Sequence, residues 1–218
     1  IASRDLLMAE IHHRVKNNLQ IVASLLNLQA GRVRSAEART AFGAARDRVR
    51  ALATLHRHLY THSNFETIAL GTFLNELCGQ LFEALGEMPG DRIALEVSAP
   101  DLTLGSDEAV PLALVITEAV TNAVKYAFPD QRTGTVSVQV VQDGETLTLI
   151  VSDDGVGIEA AEDAQASEGL GTMLIQGFAR QLGATLTTES SASGTELRLV
   201  MPIRGRRTAP GQTEVRAA

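Results

Sequence analysis

The sequence predicts an α+β protein: an N-terminal antiparallel helical hairpin, a four-helix bundle if two copies associate, followed by an α/β sandwich. Three observations predict it. No proline occurs before Pro89, and the chain up to Thr61 carries apolar side chains at helical spacing. The polar stretch Thr61 to Glu66 breaks that period and reads as a linker. Beyond it, short β-rich runs alternate with apolar helical stretches, and Asp143-Gly144 stands between two of the runs as a hairpin signal.

In the first helix, Ser3 to about Gly31, the residues Ile11, Val15, Leu19, Val22, Leu25 and Leu26 fall within an arc of about 120° at about 100° per residue. Gly31 suits a C-cap, and a second helix starts after Ser35 with Ala38, Ala41, Phe42, Ala45, Val49, Leu52 and Leu59 on one face. A hairpin alone leaves apolar surface exposed, so a homodimer is expected. The second part should begin with a strand at Thr67–Leu70 and a helix at Gly71–Leu85. Strands at Ile93–Ser98 and Leu102–Leu104 lead to a helix from Asp107 to Phe128. The hairpin strands are Thr135–Gln142 and Thr146–Ser152. A helix at Leu170–Leu182 and strands at Thr185–Thr188 and Thr195–Met201 follow. This divides the chain into residues 1–62, 67–203 and a tail, 204–218, expected to be disordered because it has Pro, Gly and charge but no periodicity.

Composition excludes several classes. Of 218 residues, 44 % are hydrophobic, enough for packed cores. The net charge of −7 argues against a nucleic-acid binder, which needs clustered cations. The one cysteine, Cys78, rules out an intramolecular disulfide, and its apolar neighbours Leu74, Leu77 and Leu81 predict a buried structural thiol. No apolar run approaches the length of about 18 residues that a membrane span requires, and no signal peptide is visible, so a cytoplasmic location is expected. Ile1 leads directly into a helical pattern, and a domain upstream is expected.

Four short segments carry candidate chemistry. In Glu10-Ile11-His12-His13-Arg14-Val15-Lys16-Asn17, His13 lies about 200° from Ile11 and Asn17 about 240°, opposite the apolar arc. His12, at about 100°, borders the buried side. His13 is thus the exposed imidazole, a competent nucleophile towards phosphorus near neutral pH, and Glu10 can accept its other N–H. An ordinary solvated helix face fits this segment equally well. Glu118, Asn122 and Lys125 sit at i, i+4 and i+7, so they share a polar face of the long helix opposite Ile116, Ala119, Val120, Ala123, Val124 and Ala127. Their oxygens are the hard ligands that Mg²⁺ prefers, and lysine adds a charge for phosphate. Taken alone, a plain amphipathic helix explains them better.

Asp153-Asp154-Gly155-Val156-Gly157 follows a strand directly. An Asp there can accept from an adenine amino group, and the glycines let the backbone turn close to a ligand. Glu168-Gly169-Leu170-Gly171 opens a helix, whose free N–H groups and dipole favour phosphate. It is neither a Walker A loop nor the dinucleotide fingerprint. A surface turn and a flexible helix start are the plain alternatives for these two.

The order and spacing of these segments are more informative than any one of them. Glu118-x-x-x-Asn122-x-x-Lys125-Tyr126, then Asp153-x-Gly155-x-Gly157, then Gly169-x-Gly171, resembles the asparagine and glycine boxes of the ATP-binding fold shared by histidine kinases and gyrase-type ATPases. Gly194-Thr195 before the last strand is similar to that fold's closing adenine-side threonine. His13-Arg14-x-x-Asn17 resembles the HRXXN histidine kinases, related to the HWE kinases. The chain departs from the strict HWE pattern, having no tryptophan and Lys125 where that subgroup has histidine, and it lacks a phenylalanine-rich box between Gly157 and Glu168.

The resemblance implies a two-component sensor histidine kinase core that uses ATP and Mg²⁺, is phosphorylated on His13, and passes phosphate to an aspartate of a response-regulator receiver domain. It further implies an upstream sensor domain, Asn122 as Mg²⁺ ligand, Asp153 and Thr195 at adenine, and Glu118 among the catalytic groups. Lys125, Tyr126, Gly155, Gly157 and the Gly169–Leu170–Gly171 segment would bind nucleotide, under a short lid at Glu159–Ser167. Asn17 would orient a water for dephosphorylating a partner. Competing readings are a catalytically weak phosphotransfer adaptor, a serine kinase of the anti-sigma-factor type, and a receiver phosphatase. His56, His58 and His62 do not share a face and are not read as metal ligands.

Overall fold

The computed structural model describes residues 2–61, 67–87, 92–157 and 170–203. The hairpin is formed by α1 (Ala2–Arg32) and α2 (Ala36–Thr61). Their turn is set locally: Ser35 accepts the Ala38 N–H on its hydroxyl at 3.3 Å, and Glu37 adds an acidic charge to the first turn of α2. The expected linker at 62–66 and tail at 204–218 lie outside the described residues.

Burial in the hairpin differs between its helices. On α1 the stripe Val15, Leu19, Ala23, Leu26 and Ala30 is half-buried, while Ile21, Val22, Leu25 and Leu28 remain exposed. The apolar arc read from the sequence is therefore only partly covered within one chain. On α2 the most buried residues are Asp47, Ala51, Thr54 and Leu55, which the sequence reading did not place on the inner face, and Ala41 is exposed. The reason is that α2 packs on two sides: against α1 and against the second part of the chain. A helix squeezed from both sides does not show a single apolar stripe.

The second part begins with β1 (Thr67–Ala69) and α3 (Leu70–Ala84), followed by β2 (Ile93–Ser98), β3 (Thr103–Gly105) and α4 (Ser106–Tyr126). Then come β4 (Gly134–Asp143), β5 (Thr146–Asp153), α5 (Leu170–Leu182), β6 (Thr185–Ser191) and β7 (Gly194–Pro202). The main sheet is mixed, with strand order β2-β4-β5-β7-β6. Only the β2–β4 pair is parallel in it, and β1 and β3 form a separate antiparallel pair. Between β4 and β5 the turn residues are Gly144 and Glu145, one position later than the sequence signal, because Asp143 pairs with Thr146.

Register aligns the inner side chains in rows. Val138 faces Val151, which faces Leu197; Val140 faces Leu149, which faces Leu199. These rows are buried against α3, α4 and α5, with Phe73, Leu74 and Leu77 of α3 and Leu112, Val115 and Ile116 of α4 fully enclosed. Alternation with period two places Ser137, Gln139 and Arg198 on the opposite face. The α/β sandwich is thus one sheet face covered by three helices, as the sequence predicts. Cys78 lies in the same core with no exposed surface, and burial pushes its thiol up to about 12.

Candidate functional site

The described sequence-predicted residues of the second part lie on α4, the end of β5, the start of β7 and the first turn of α5. On α4, Glu118, Asn122, Lys125 and Tyr126 follow one another along the helix as the i, i+4, i+7 spacing requires. Their environments differ. Lys125 and Tyr126 are exposed and Asn122 is partly covered, whereas Glu118 is 6 % exposed. The sequence reading put Glu118 on the open polar face, and the structure corrects this. Two elements cover its carboxylate: α2, through Arg48, and the first turn of α5.

Arg48 donates from Nε and Nη2 to Oε1 and Oε2 of Glu118, at 2.5 and 2.9 Å. This fork-to-fork pair gives a buried carboxylate the partner it needs. Nothing local in the sequence distinguishes Arg48 from the other arginines of α2. At α5, a Cβ added to Gly171 would lie 3.1 Å from Glu118 Oε2 and 3.8 Å from the Asn122 amide nitrogen. The glycine therefore lets the α5 backbone run directly over the carboxylate and the carboxamide. Thr121, next to Asn122, has a buried hydroxyl with no partner among the described residues. Gly169 and the expected lid at 159–167 lie outside the described residues, and of Leu170 only the backbone, opening α5, is described.

Asp153 closes β5. Its Oδ1 accepts the backbone N–H of Gly155 at 3.0 Å and that of Thr195 at 3.3 Å, since strand register sets Thr195 directly across from it. Burial raises the Asp153 carboxyl above its ordinary value, against the lowering effect of those two bonds. Of this half-buried carboxylate, Oδ1 is oriented by two backbone donors, and Oδ2 has no donor among the described residues. The Thr195 hydroxyl is shared with Ser190 at 3.1 Å.

The loop after Asp153 has no room for side chains on its glycines. A Cβ on Gly155 would be 2.3 Å from the Ala127 carbonyl oxygen, and the neighbouring Val156 N–H donates to that same oxygen at 3.0 Å. Gly157 has φ +74, and a Cβ there would approach the Ser191 carbonyl to 2.0 Å. The glycines thus pin the loop to the C-terminal end of α4 and to β6. Two residues missed in the sequence complete this corner. Asp154 Oδ1 accepts the Thr135 N–H at 2.7 Å, and Arg132 donates to the Asp154 carbonyl at 3.0 Å.

The donor set fits the group expected there. Asn122 offers a carboxamide oxygen suited to a hard divalent cation, whereas both Glu118 oxygens are held by Arg48, and the close pass of Gly171 leaves backbone rather than side chain above the two residues. The other candidates stand apart from this corner. Glu10 and His13 belong to α1 by their backbone, and their side chains lie outside those described; Asn17 on the same helix is exposed.

Comparison with known proteins follows the same order along the chain. A family model described as "Histidine kinase" matches residues 10–85, and one described as "Histidine kinase-like ATPase domain" matches residues 91–201. The chain belongs to the histidine kinase family. As a histidine kinase it carries an ATP-binding domain of the kinase and gyrase type, and the helices preceding a five-stranded mixed sheet agree with that. The kinase is 34 % identical over 212 residues to the sensor histidine kinase PdtaS of Mycobacterium tuberculosis, covering 95 % of this chain and 41 % of that protein. It is 28 % identical over 210 residues to blue-light-activated histidine kinase 2 of Erythrobacter litoralis, covering 94 % of this chain and 59 % of the other. The kinase thus spans about two fifths to three fifths of the length of these curated relatives. Among solved structures, it is similar to the histidine kinase domain of the EL346 blue-light activated histidine kinase of Erythrobacter litoralis. The TM-score is 0.67 at 27 % identity, covering 93 % of each chain. No helix of the described residues is long and apolar enough to cross a membrane.

Proposed function

We propose that this chain is the catalytic core of a two-component sensor histidine kinase, transferring the γ-phosphate of ATP to His13 and then to an aspartate of a response-regulator receiver domain. The observation that carries this reading is the convergence of Glu118, Asn122, Asp153, Thr195 and Gly171 at one end of the sheet, in a chain whose separate helix bears His13. In this reading residues 1–62 form the phosphoacceptor hairpin, paired with a second copy, and residues 67–203 form the ATP-binding unit.

Asp153, already oriented by Gly155 and Thr195, accepts from the adenine amino group through its free oxygen, and the Thr195 side supports the same ring edge. Lys125, with Tyr126 beside it, and the Gly169–Gly171 segment at the start of α5 hold the phosphates. Asn122 holds Mg²⁺, which supplies charge compensation for the phosphates when bound. His13 attacks the γ-phosphorus through a ring nitrogen: the N–P bond forms, the bond to the β-phosphate oxygen breaks, and ADP leaves. Glu10 orients the imidazole, and Glu118 acts as the catalytic carboxylate beside the phosphates. Asn17, one turn from His13, orients a water that hydrolyses the phosphoryl group on the partner's aspartate, releasing inorganic phosphate. Positioning dominates such chemistry, so the reach of the ATP unit to the hairpin decides the rate.

Incubation with γ-labelled ATP and Mg²⁺ tests the reading on three proteins: the unaltered chain, His13→Ala and His12→Ala. The expected label is lost in acid, held in base, and absent only from His13→Ala. Acid-stable label would instead indicate a serine kinase. Clear ATP binding with no label on any of the three would reduce the chain to a phosphotransfer adaptor.

A further inference from the structure

The hairpin and the ATP-binding unit are joined at a contact that involves the site itself. Polar links connect α2 to the second part, among them Arg57 to Glu76, Thr54 to Gln80, and Arg48 to Glu118. Among the described residues of α2, Ala51 and Leu55 are the two that enter the shared apolar core. A seam of that composition resembles an interface between domains that separate, more than the interior of one domain. Its innermost link closes on a residue of the proposed catalytic set. Both carboxylate oxygens of Glu118 are engaged by the Arg48 fork, so the group is committed to the contact with α2.

The placement of the hairpin gives this contact a direction. Arg46 donates to Asn27 at 3.2 Å, which fixes the register between α2 and α1, and Arg48 lies two residues further on. His13 lies fourteen residues before Asn27 on the same unbroken helix. At about 1.5 Å per residue the phosphoacceptor position is therefore roughly 20 Å along the hairpin from the level at which Glu118 is held. Phosphoryl transfer needs the reacting atoms about 3–3.5 Å apart. The docked arrangement stores the catalytic carboxylate at the wrong height on the hairpin.

We propose that the Arg48–Glu118 pair is an autoinhibitory latch: it holds the ATP-binding unit docked on α2 away from His13, and phosphoryl transfer requires its release. This inference rests on the kinase reading above, in which Glu118 acts during transfer. Replacing Arg48 leaves a buried carboxylate without its partner, which favours exposing Glu118 by undocking. The pair then contributes a coupling between the position of α2 and the state of the active site.

The test uses the full chain with Arg48→Gln and with the double exchange Arg48→Glu, Glu118→Arg. Labelling from γ-labelled ATP and small-angle scattering are measured on each, with circular dichroism to confirm folding. Arg48→Gln should raise the initial rate of acid-labile labelling about fivefold or more and increase the radius of gyration. The double exchange should restore the compact radius and show no acid-labile labelling, because Glu118 is lost. Labelling that falls or stays level in Arg48→Gln overturns the latch while leaving the kinase reading intact. An unchanged radius in Arg48→Gln also overturns it. Absence of acid-labile label in both the unaltered chain and Arg48→Gln sinks the kinase reading instead, and the latch with it as an inhibitory device.

Discussion

Asp153 shows how one side chain trades stability for binding. Burial raises its carboxyl in the folded state, while the unfolded chain titrates near the ordinary value of about 3.9. Folding therefore favours the protonated form. The associated stability is fully present below the unfolded value and is lost as pH rises through the folded one. Asp153→Asn keeps an oxygen for the Gly155 and Thr195 N–H groups but never ionises. Its melting temperature relative to the unaltered chain should thus rise between about pH 3 and pH 7. ATP affinity, read by calorimetry at pH 7, should fall by about tenfold or more, as befits loss of a charged acceptor. A variant that loses thermal stability relative to the parent as pH rises would contradict the account of burial. Unchanged affinity would remove Asp153 from the site. The Asp–Gly–Gly pattern was legible in the sequence because its members are neighbours. The Thr195 N–H was legible only as a resemblance, since strand pairing brings it across from Asp153.

Among the elements, β7 ties the site to the sheet, because it carries Thr195 and lies between β5 and β6. Its first residue, Gly194, has φ +129, and a Cβ there would lie 1.9 Å from the Asp153 carbonyl oxygen. Gly194→Ala should cost about 2–4 kcal/mol in denaturant unfolding, through backbone strain and displacement of the β5 edge. It should weaken ATP binding in parallel, since the Thr195 N–H moves with the strand. A loss below about 0.5 kcal/mol, the range of neutral surface changes, would show that the strand end relaxes freely. Most element boundaries were legible because helical and strand periods are local. The α2 face was not: Asp47 and Thr54 are buried there, Thr54 with its hydroxyl on Gln80 of α3, and no pattern within α2 announces that.

For the whole molecule, two surfaces set the behaviour. One is the seam of α2 against α3 and α4; the other is the exposed row Ile21, Val22, Leu25 and Leu28 on α1. Such a row on a hairpin fits pairing with a second hairpin into a four-helix bundle. We expect Val22→Glu combined with Leu25→Glu to shift sedimentation from dimer to monomer while circular dichroism holds. A monomeric parent chain would discard the bundle. That the hairpin would leave apolar surface open was foreseeable from sequence, and Val22 and Leu25 belong to the arc read there, whereas Ile21 and Leu28 do not.

By itself the sequence determined the two-part plan, the helix bearing His13, and the spacing that sets Glu118, Asn122 and Lys125 along one helix. All of these depend on residues within a few turns of each other, where the backbone geometry is the same in any fold. Only the tertiary structure decided that Glu118 is buried rather than open, that Arg48 holds it, and that Asp153 and Thr195 face each other across β5 and β7. Those facts arise from the strand order β2-β4-β5-β7-β6 and from the side of α2 pressed against α4. Both are outcomes of packing between residues distant in the chain, which no local period encodes.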